Sequence, residues 1–387
     1  MANMISRADA EALLREGLYD EIFQHDIEES IFMRLARRLP DAPSGKNHIR
    51  VLDMVPVGYF VNGENGLKGT SAAAWEKAVL NIEEMAVIVP ISENTLEDEA
   101  VDIFGQVTPL VRQAFGALMD KAAIFGEGRP ASWPLGIVQL ARQAGNNVTA
   151  ASPLSYDNLL GVGGLFNKVE NANSAVTAGI ASMAMRAALR GIKDDNGYPI
   201  FKTDMQGATP YALDGAPLYF PRNGGFDSSI AQMVVGDWSQ AVYAVRRDID
   251  VKILDQAVIQ NPDGTIAYNL AQQDMVALRV TFRIGWTFPN AASPVNPDRV
   301  LVPFAYLAPA TPQTTYTATF TVLSNGAAAE GAIVNIDGAR LKTNASGVAV
   351  FNLPNGTYAY KATLGKAKLG EGTFTINGAA ATVTVGE

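Results

Sequence analysis

The chain has 387 residues, of which 48% are hydrophobic and 18% are charged, an ordinary globular composition with room for two or three domains. It carries a formal net charge of −9 and no cysteine, which excludes disulfides, thiolate nucleophiles and cysteine metal sites. No apolar run is long enough for a membrane span, and the polar, amphipathic start predicts no secretory signal.

The first long feature is a two-stranded excursion over residues 48–92, preceded by a region that is helical in pieces and by a linker rich in Pro, Gly and Ser at 39–48. Its tip, Asn62 to Ser71, is rich in Gly and Asn. An isolated ribbon of this length is marginal in water and needs a surface to lie on. We therefore predict an arm that reaches across a neighbouring subunit, which indicates a structural building block rather than an enzyme.

A long amphipathic helix is predicted directly after the excursion, over residues 93–127. Asn94 and Glu97 form a start that resembles a capping box, and apolar residues then recur at helical spacing. Gly126 is suited to end the helix, and Pro109 in its middle should kink it or remove one hydrogen bond.

The following residues predict a mixed α+β body that extends to about residue 308. Residues 130–150 are predicted to be irregular, and 156–172 and 174–192 to form two helices. Residues 230–254 are predicted to form a strand, a short helix and a second strand. Strict alternation of apolar side chains over 276–286 predicts a strand with one buried face.

The character of the chain changes after the Pro-rich segments at 289–297 and 308–315. Short β-rich runs follow, and Asn-Gly turns recur at 325–326, 355–356 and 377–378. Short strands with turn residues at this spacing predict a small antiparallel sandwich over 316–387. The part before residue 316 holds 25 basic and 35 acidic residues, and its sequence has no compact basic stripe, so tight DNA binding is not expected.

The order of these elements resembles the tailed-phage major capsid protein family with the Hong Kong 97 fold. The resemblance is carried by VPISENTLEDEAVDIFGQVTPLVRQAFGALMDKAAIFGEG, then WPLGI, DDNGYPIF, YALDGAPLYF, MVVGDWSQAVYAVRRDIDVKI and NLAQQDMVALRVTFRIGW, in that order. The tail resembles bacterial immunoglobulin-like or carboxypeptidase-regulatory-like sandwiches through GAIVNIDG and TNASGVAVFNLPNGTYAYKA. The implied segments are an N-terminal arm (1–47), an extended loop (48–92), a spine helix (93–129), an axial domain (130–250), a return to the peripheral sheet (251–308), a linker (309–315) and an immunoglobulin-like domain (316–387).

The resemblance implies an icosahedral shell protein that assembles with itself into pentamers and hexamers around double-stranded DNA. The short region before the loop implies a separate scaffolding protein, with a portal and a maturation protease as further partners. The tail would be displayed outside the shell, with a host-surface glycan as its possible ligand. An encapsulin-like nanocompartment shell protein and a secreted carbohydrate-binding or adhesin protein remain as alternatives.

No enzyme active site is visible, since the sequence has no nucleophile, metal or phosphate-loop motif and only two histidines, His25 and His48. We therefore predict no cofactor. Asp194, Asp195 and Asn196 are interpreted as a turn rather than a calcium loop. Lys68 is interpreted as a loop lysine that contacts a neighbour's acidic surface rather than as a crosslinking residue. The candidate residues for contact between subunits are Lys68, Trp75, Glu83, Glu84, Arg246, Arg247, Asp248 and Asp250, and the candidate maturation hinge is Pro109.

Overall fold

The structure is a computed structural model that describes residues 29–61, 68–93, 103–151, 154–194, 196–198, 200, 211–261, 263–310, 314–365 and 367–386. Within these residues the α-helices are α1 (Ile31–Leu35), α2 (Ile103–Asp120), α3 (Ile137–Gln143), α4 (Tyr156–Leu159), α5 (Leu165–Glu170) and α6 (Met183–Gly191). A π-helical turn (Lys121–Phe125) continues α2, and short 3₁₀ turns occur at Trp238–Gln240 and Leu270–Gln272.

The strands, in chain order, are β1 (Arg37–Arg38), β2 (Lys46–Met54), β3 (Ala74–Asn81), β4 (Glu83–Ser92), β5 (Asn147–Thr149), β6 (Ala178–Ala181), β7 (Ala212–Leu213), β8 (Ala216–Tyr219), β9 (Met233–Gly236), β10 (Val242–Leu254), β11 (Val258–Gln260), β12 (Ile266–Asn269), β13 (Met275–Thr287), β14 (Phe304–Ala308), β15 (Tyr316–Ser324), β16 (Ala327–Ala328), β17 (Ile333–Ile336), β18 (Ala339–Lys342), β19 (Val348–Leu353), β20 (Gly356–Leu364), β21 (Ala367–Ile376) and β22 (Ala381–Val385).

In the first part of the body, the long helix α2 packs against a four-stranded sheet. The sheet has the order β1-β10-β13-β4, and β13 runs antiparallel to both of its neighbours. The predicted alternation along β13 is confirmed, because Val280, Phe282 and Ile284 are buried. Phe282 stacks on Phe115 of α2 at 6.4 Å between ring centroids, which joins the two layers.

The C-terminal end of the long helix was also predicted well, whereas its predicted start at 93–102 lies mostly outside the described residues. The helix passes through Pro109 and ends in the π-helical turn, after which Gly126 adopts φ +77°. Glycine suits this left-handed position because it has no Cβ to clash.

A six-stranded sheet, β5-β14-β9-β6-β8-β7, builds the second part of the body. Two sequence predictions are wrong here. Residues 178–181, predicted to be helical, form strand β6, whose small side chains are compatible with either structure and whose pairing with β9 decides the outcome. Residues 137–143, predicted to be irregular, form α3, which is buried nearly all round and therefore shows no amphipathic stripe.

The ribbon formed by β2 and β3 is shorter than predicted. Its ladder runs from the pair Lys46–Asn81 to the pair Met54–Ala74, and residues 83–92 form β4 of the four-stranded sheet instead of a ribbon strand. The chain turns between the two at Ile82, whose N–H donates to the carbonyl oxygen of Gly45 at 2.8 Å.

Residues 316–385 form two four-stranded sheets that share one core. One sheet holds β16-β15-β19 with β22 beside β15, and the other has the order β18-β17-β20-β21. Phe320 contacts Phe351, Tyr360 and Phe374 edge to face, at 5.1–5.7 Å between ring centroids. The strands are antiparallel except that β22 runs parallel to β15, which the turn pattern did not predict.

Candidate assembly interface

The two faces of the ribbon differ sharply. On the inner face, Val51 and Leu80 are buried, and Leu80 packs with Ala42 and Ala244 of the body. On the outer face, Trp75 and Val79 are exposed apolar residues, with 68% of Trp75 accessible. Since the body already covers one face, any further partner must bind the other.

The outer face also carries a concentration of positive charge on an otherwise acidic chain. Lys46, Arg50 and Lys77 supply this charge and are exposed there, and the exposed His48 lies among them. Arg50 lies directly opposite Lys77 in the ladder, and among the described residues neither forms an ion pair. Like charges opposite each other destabilise a strand pair, so this face is suited to bind acidic groups of another molecule.

Beyond the ladder, the described parts of the tip expose further apolar side chains. Phe60 is fully accessible, and Val57 and Tyr59 are exposed. The Val57 N–H donates to the Ser71 hydroxyl at 2.7 Å, which links the two sides. Lys68 is exposed near this tip, as the sequence predicted. Exposed apolar groups of this size in one segment are typical of a surface that binds a protein.

Two other predicted contact residues already have partners within the chain. Glu84 forms an ion pair with Arg283 on the adjacent strand β13 at 2.5 Å, and Glu83 accepts a hydrogen bond from Ser132. Both contacts are exposed, so each stabilises the chain only slightly. A role for these glutamates between subunits stays a prediction.

The mixed-charge segment of β10 contains an internal pair as well. Arg247 and Asp250 are 3.2 Å apart, at a place where two register shifts interrupt the pairing with β13. The Asp248 carboxylate accepts from the N–H of Ile249, and Arg246 is exposed. The irregular backbone directs these charged side chains toward the surface, and they remain candidates for contacts between subunits.

Sequence reasoning missed a cleft of about 830 Å³ between α1, α2 and the edge of the four-stranded sheet. Four arginines from three separate parts of the chain line it together with Glu29 and Asp248, namely Arg34 and Arg38, Arg112, and Arg222. The guanidinium of Arg34 lies over the Tyr219 ring, 4.6 Å from its centroid. No local sequence signal predicts this cluster, because only tertiary packing brings the four residues together.

A buried carboxylate ties the start of the described chain to the long helix. Asp120 is 1% exposed and accepts hydrogen bonds from the Ser30 hydroxyl, the backbone N–H groups of Ile31 and Phe32, and the Asn223 amide. Burial raises the pKa of Asp120, and the four donors partly offset that rise.

The C-terminal sandwich is docked on the body through buried polar contacts. Arg129 pairs with Asp337 at 2.6 Å, and both side chains are less than a tenth exposed. Burial raises the pKa of Asp337, an effect that the charge of Arg129 opposes. The Gln143 side chain donates to the carbonyl oxygen of Asn352 and accepts from its N–H at 3.0 Å. The tail is therefore attached at several points besides the linker.

The described residues contain no group of three or more His, Asp or Glu side chains that could hold a metal ion. Asp194 accepts from the N–H groups of Asn196 and Tyr198, which confirms the turn. His48 lies on the outer face of the ribbon, and His25 is outside the described residues. In this part of the chain, no helix has the length and apolarity needed to cross a membrane.

The profile of the phage capsid family matches residues 11–293. The chain belongs to this family. It is 26% identical over 285 residues to the curated major capsid protein of Staphylococcus phage 80alpha, covering 73% of this chain and 83% of that protein.

Solved phage structures agree with the family match over the body. A chain from Microbacterium phage Oxtober96 is 32% identical, with a TM-score of 0.69 over 79% of this chain and 100% of that one. A chain from Mycobacterium phage Adephagia is 27% identical, with the same TM-score over 81% and 100%. The predicted α+β, Hong Kong 97-like fold is thus confirmed. The family match ends before residue 316, and an immunoglobulin relationship of the tail stays a prediction.

Proposed function

We propose that this chain is the major capsid protein of a tailed phage and that it assembles with itself into pentamers and hexamers and then into an icosahedral head shell around double-stranded DNA. Family membership supports a structural rather than an enzymatic role, as does the described function of the staphylococcal relative. No cofactor enters this function. Assembly takes place in the host cytoplasm.

The observation that carries the proposal is the outer face of the ribbon. In an isolated subunit, both the exposure of Trp75 and the like-charged pair of Arg50 and Lys77 are unfavourable. Contact with an acidic, partly apolar neighbour would make both of them favourable. The chain has a net charge of −9, so other copies of it supply acidic surface. Many such weak contacts closed by symmetry give a stable container.

The finer features of the shell belong to the same proposal. A separate scaffolding protein, a portal and a maturation protease complete assembly, and Lys68 at the ribbon tip contacts acidic groups of a neighbour. The C-terminal sandwich, an immunoglobulin-like domain, is displayed outside the shell, where a host-surface glycan would be its ligand. Support for this display comes from an uncharged exposed face with Thr317, Thr382 and Thr384.

Electron microscopy of the protein, expressed alone and together with a candidate scaffold gene, tests the proposal. We expect closed shells of uniform size with one external knob for each subunit. Monomers alone, even at high concentration with the scaffold present, would contradict a capsid function.

Charge reversal tests the ribbon face separately. Lys77→Glu creates a favourable cross-strand pair with Arg50, so the subunit should be as stable as the wild type or slightly more stable, by about 0.2–1 kcal/mol. The same variant should reduce shell yield strongly because it repels an acidic neighbour. Lys361→Glu, the same change at an exposed position on the tail, is the control; because Lys361 lies opposite Glu371, the stability of this variant is measured together with its shell yield. Equal yields from the two variants would show that the outer face of the ribbon is not an assembly surface.

A further inference from the structure

The ribbon is held to its own chain near the end of its ladder that lies closest to the tip. Arg299 is 4% exposed, and its Nη1 atom binds Asp53 of β2 at 3.0 Å and Glu76 of β3 at 2.6 Å. Its remaining nitrogens donate to the carbonyl oxygens of Asn290 and Pro289. One buried guanidinium from the body therefore binds both strands of the ribbon.

A second arginine reaches the same carboxylate from the C-terminal sandwich. Arg340 of β18 lies 3.3 Å from the Glu76 carboxylate, and only 17% of its side chain is exposed. Two residues further along β18, Lys342 binds Asp298 at 2.8 Å in a contact that is about half exposed. This edge of the sandwich thus binds the ribbon with one residue and the adjoining body loop with the other.

The sandwich can position Arg340 because it is itself fixed on the body. The Leu135 N–H donates to the carbonyl oxygen of Asp337 at 2.7 Å, in addition to the buried pair between Arg129 and Asp337. Asp337 lies three residues before Arg340, at the turn that leads into β18. A charge-assisted contact costs less conformational entropy when its two side chains are carried by elements that are already fixed than when they are mobile.

We propose that the C-terminal sandwich is a brace for the ribbon: by binding Glu76 through Arg340, it fixes the direction in which the ribbon leaves the body. The tail then sets the geometry of the arm as well as presenting a surface to solvent. Because this concerns a single chain, it does not depend on shell formation.

The state of the carboxylate agrees with this geometry. Partial burial raises the pKa of Glu76, but hydrogen bonds and charge from Arg299 and Arg340 outweigh that effect and leave the pKa below its usual value. Glu76 is therefore ionised at neutral pH and available to both arginines.

The absence of cysteine allows a direct measurement of ribbon direction in the full-length, unassembled subunit. Spin labels at Trp75→Cys on the outer face of the ribbon and Val162→Cys on the body occupy two exposed positions. In the otherwise native chain we expect one narrow distance distribution. Arg340→Ala should broaden it or add a second distance, whereas Lys342→Ala, on the same strand, should leave it unchanged.

Hydrogen exchange supplies an independent readout at the contact between ribbon and body. The Ala292 N–H donates to the carbonyl oxygen of Leu52 at 2.8 Å, so its exchange reports detachment of the ribbon. Arg340→Ala should speed this exchange roughly fivefold, as expected for a partly exposed ion pair. The core amides of β15 should be unaffected, which shows that the sandwich remains folded.

A double variant separates the brace from a general folding effect. Glu76→Gln removes the shared carboxylate, and adding Arg340→Ala to it should change neither the distances nor the Ala292 exchange any further. If Arg340→Ala matched the native chain in both readouts, Arg299 alone would hold the ribbon and the brace would be disproved. A further effect of Arg340→Ala in the Glu76→Gln background would also overturn the proposal, because Arg340 would then act through another contact.

Discussion

The attachment of the N-terminal segment to the long helix depends on Asp120. Each of its oxygens accepts two hydrogen bonds: Oδ1 from the Ser30 hydroxyl at 2.6 Å and the Phe32 N–H at 2.9 Å, and Oδ2 from the Ile31 N–H at 3.1 Å and the Asn223 amide at 2.6 Å. All four donors are directed at a carboxylate that is almost completely buried. Neither oxygen can be replaced by a donor without leaving two groups unsatisfied.

The substitution Asp120→Asn makes that replacement with little change in shape. It leaves two buried donors facing an amide NH₂ group, at about 1–3 kcal/mol each, so we expect a loss of about 3 kcal/mol in the free energy that holds α1 on α2. Hydrogen exchange at Ile31 and Phe32 should then be roughly 100-fold faster, since about 1.4 kcal/mol corresponds to a factor of ten. Urea unfolding of the unassembled subunit measures the global part of the effect.

Asp248→Asn is the matched control, because it is the same change at an exposed strand position and should alter stability by less than about 0.5 kcal/mol. If Asp120→Asn stayed within about 1 kcal/mol of the native chain in both measurements, the four hydrogen bonds would not be the anchor of this segment, and the argument from satisfied donors would be refuted.

Four further outcomes are expected. Phe60→Ser should leave subunit stability unchanged but lower shell yield in electron microscopy, because this side chain is fully exposed in the single chain. Gly285→Ala should unfold or severely destabilise the subunit in thermal melts, since a Cβ there would lie 2.1 Å from the carbonyl oxygen of Asn81. Pro109→Ala restores a donor inside α2 and should slow the expansion of assembled shells followed by X-ray scattering, whereas unchanged expansion would exclude a hinge at this position. The pKa of Glu76 is lower in the folded chain than its ordinary value of 4.5, so the stabilisation from its ionised carboxylate is fully present above pH 4.5 and is lost as the pH falls through the lower folded pKa. The distances between the spin labels should change in that pH range, and Glu76→Gln should abolish the change.

The sequence predicted those elements whose pattern is local. Strand β13 alternates strictly, and the long helix shows a regular apolar stripe that ends at Gly126, so both were found with nearly correct bounds where the structure describes them. Helix α3 was missed because it is surrounded by the six-stranded sheet, the π-helical turn and the tail, which leaves no polar face to mark its period. The docking of the tail and the arginine cleft could not be predicted, because each joins residues that are far apart in the chain.

In the ribbon, an exposed contact residue could be recognised from the sequence, whereas the ion pairs that hold the ribbon on the body could not. Trp75 and Glu76 are neighbours, yet alternation along β3 places the first on the outer face and the second toward the body. The sequence predicts that Trp75 serves either a core or a subunit contact, and its exposure in the structure excludes the core. Glu76 looks like an ordinary surface carboxylate until Arg299 and Arg340, more than 220 residues away in sequence, converge on it. The same short strand thus separates contacts that hold the chain together from those offered to a neighbour, and only the second kind has a local signature.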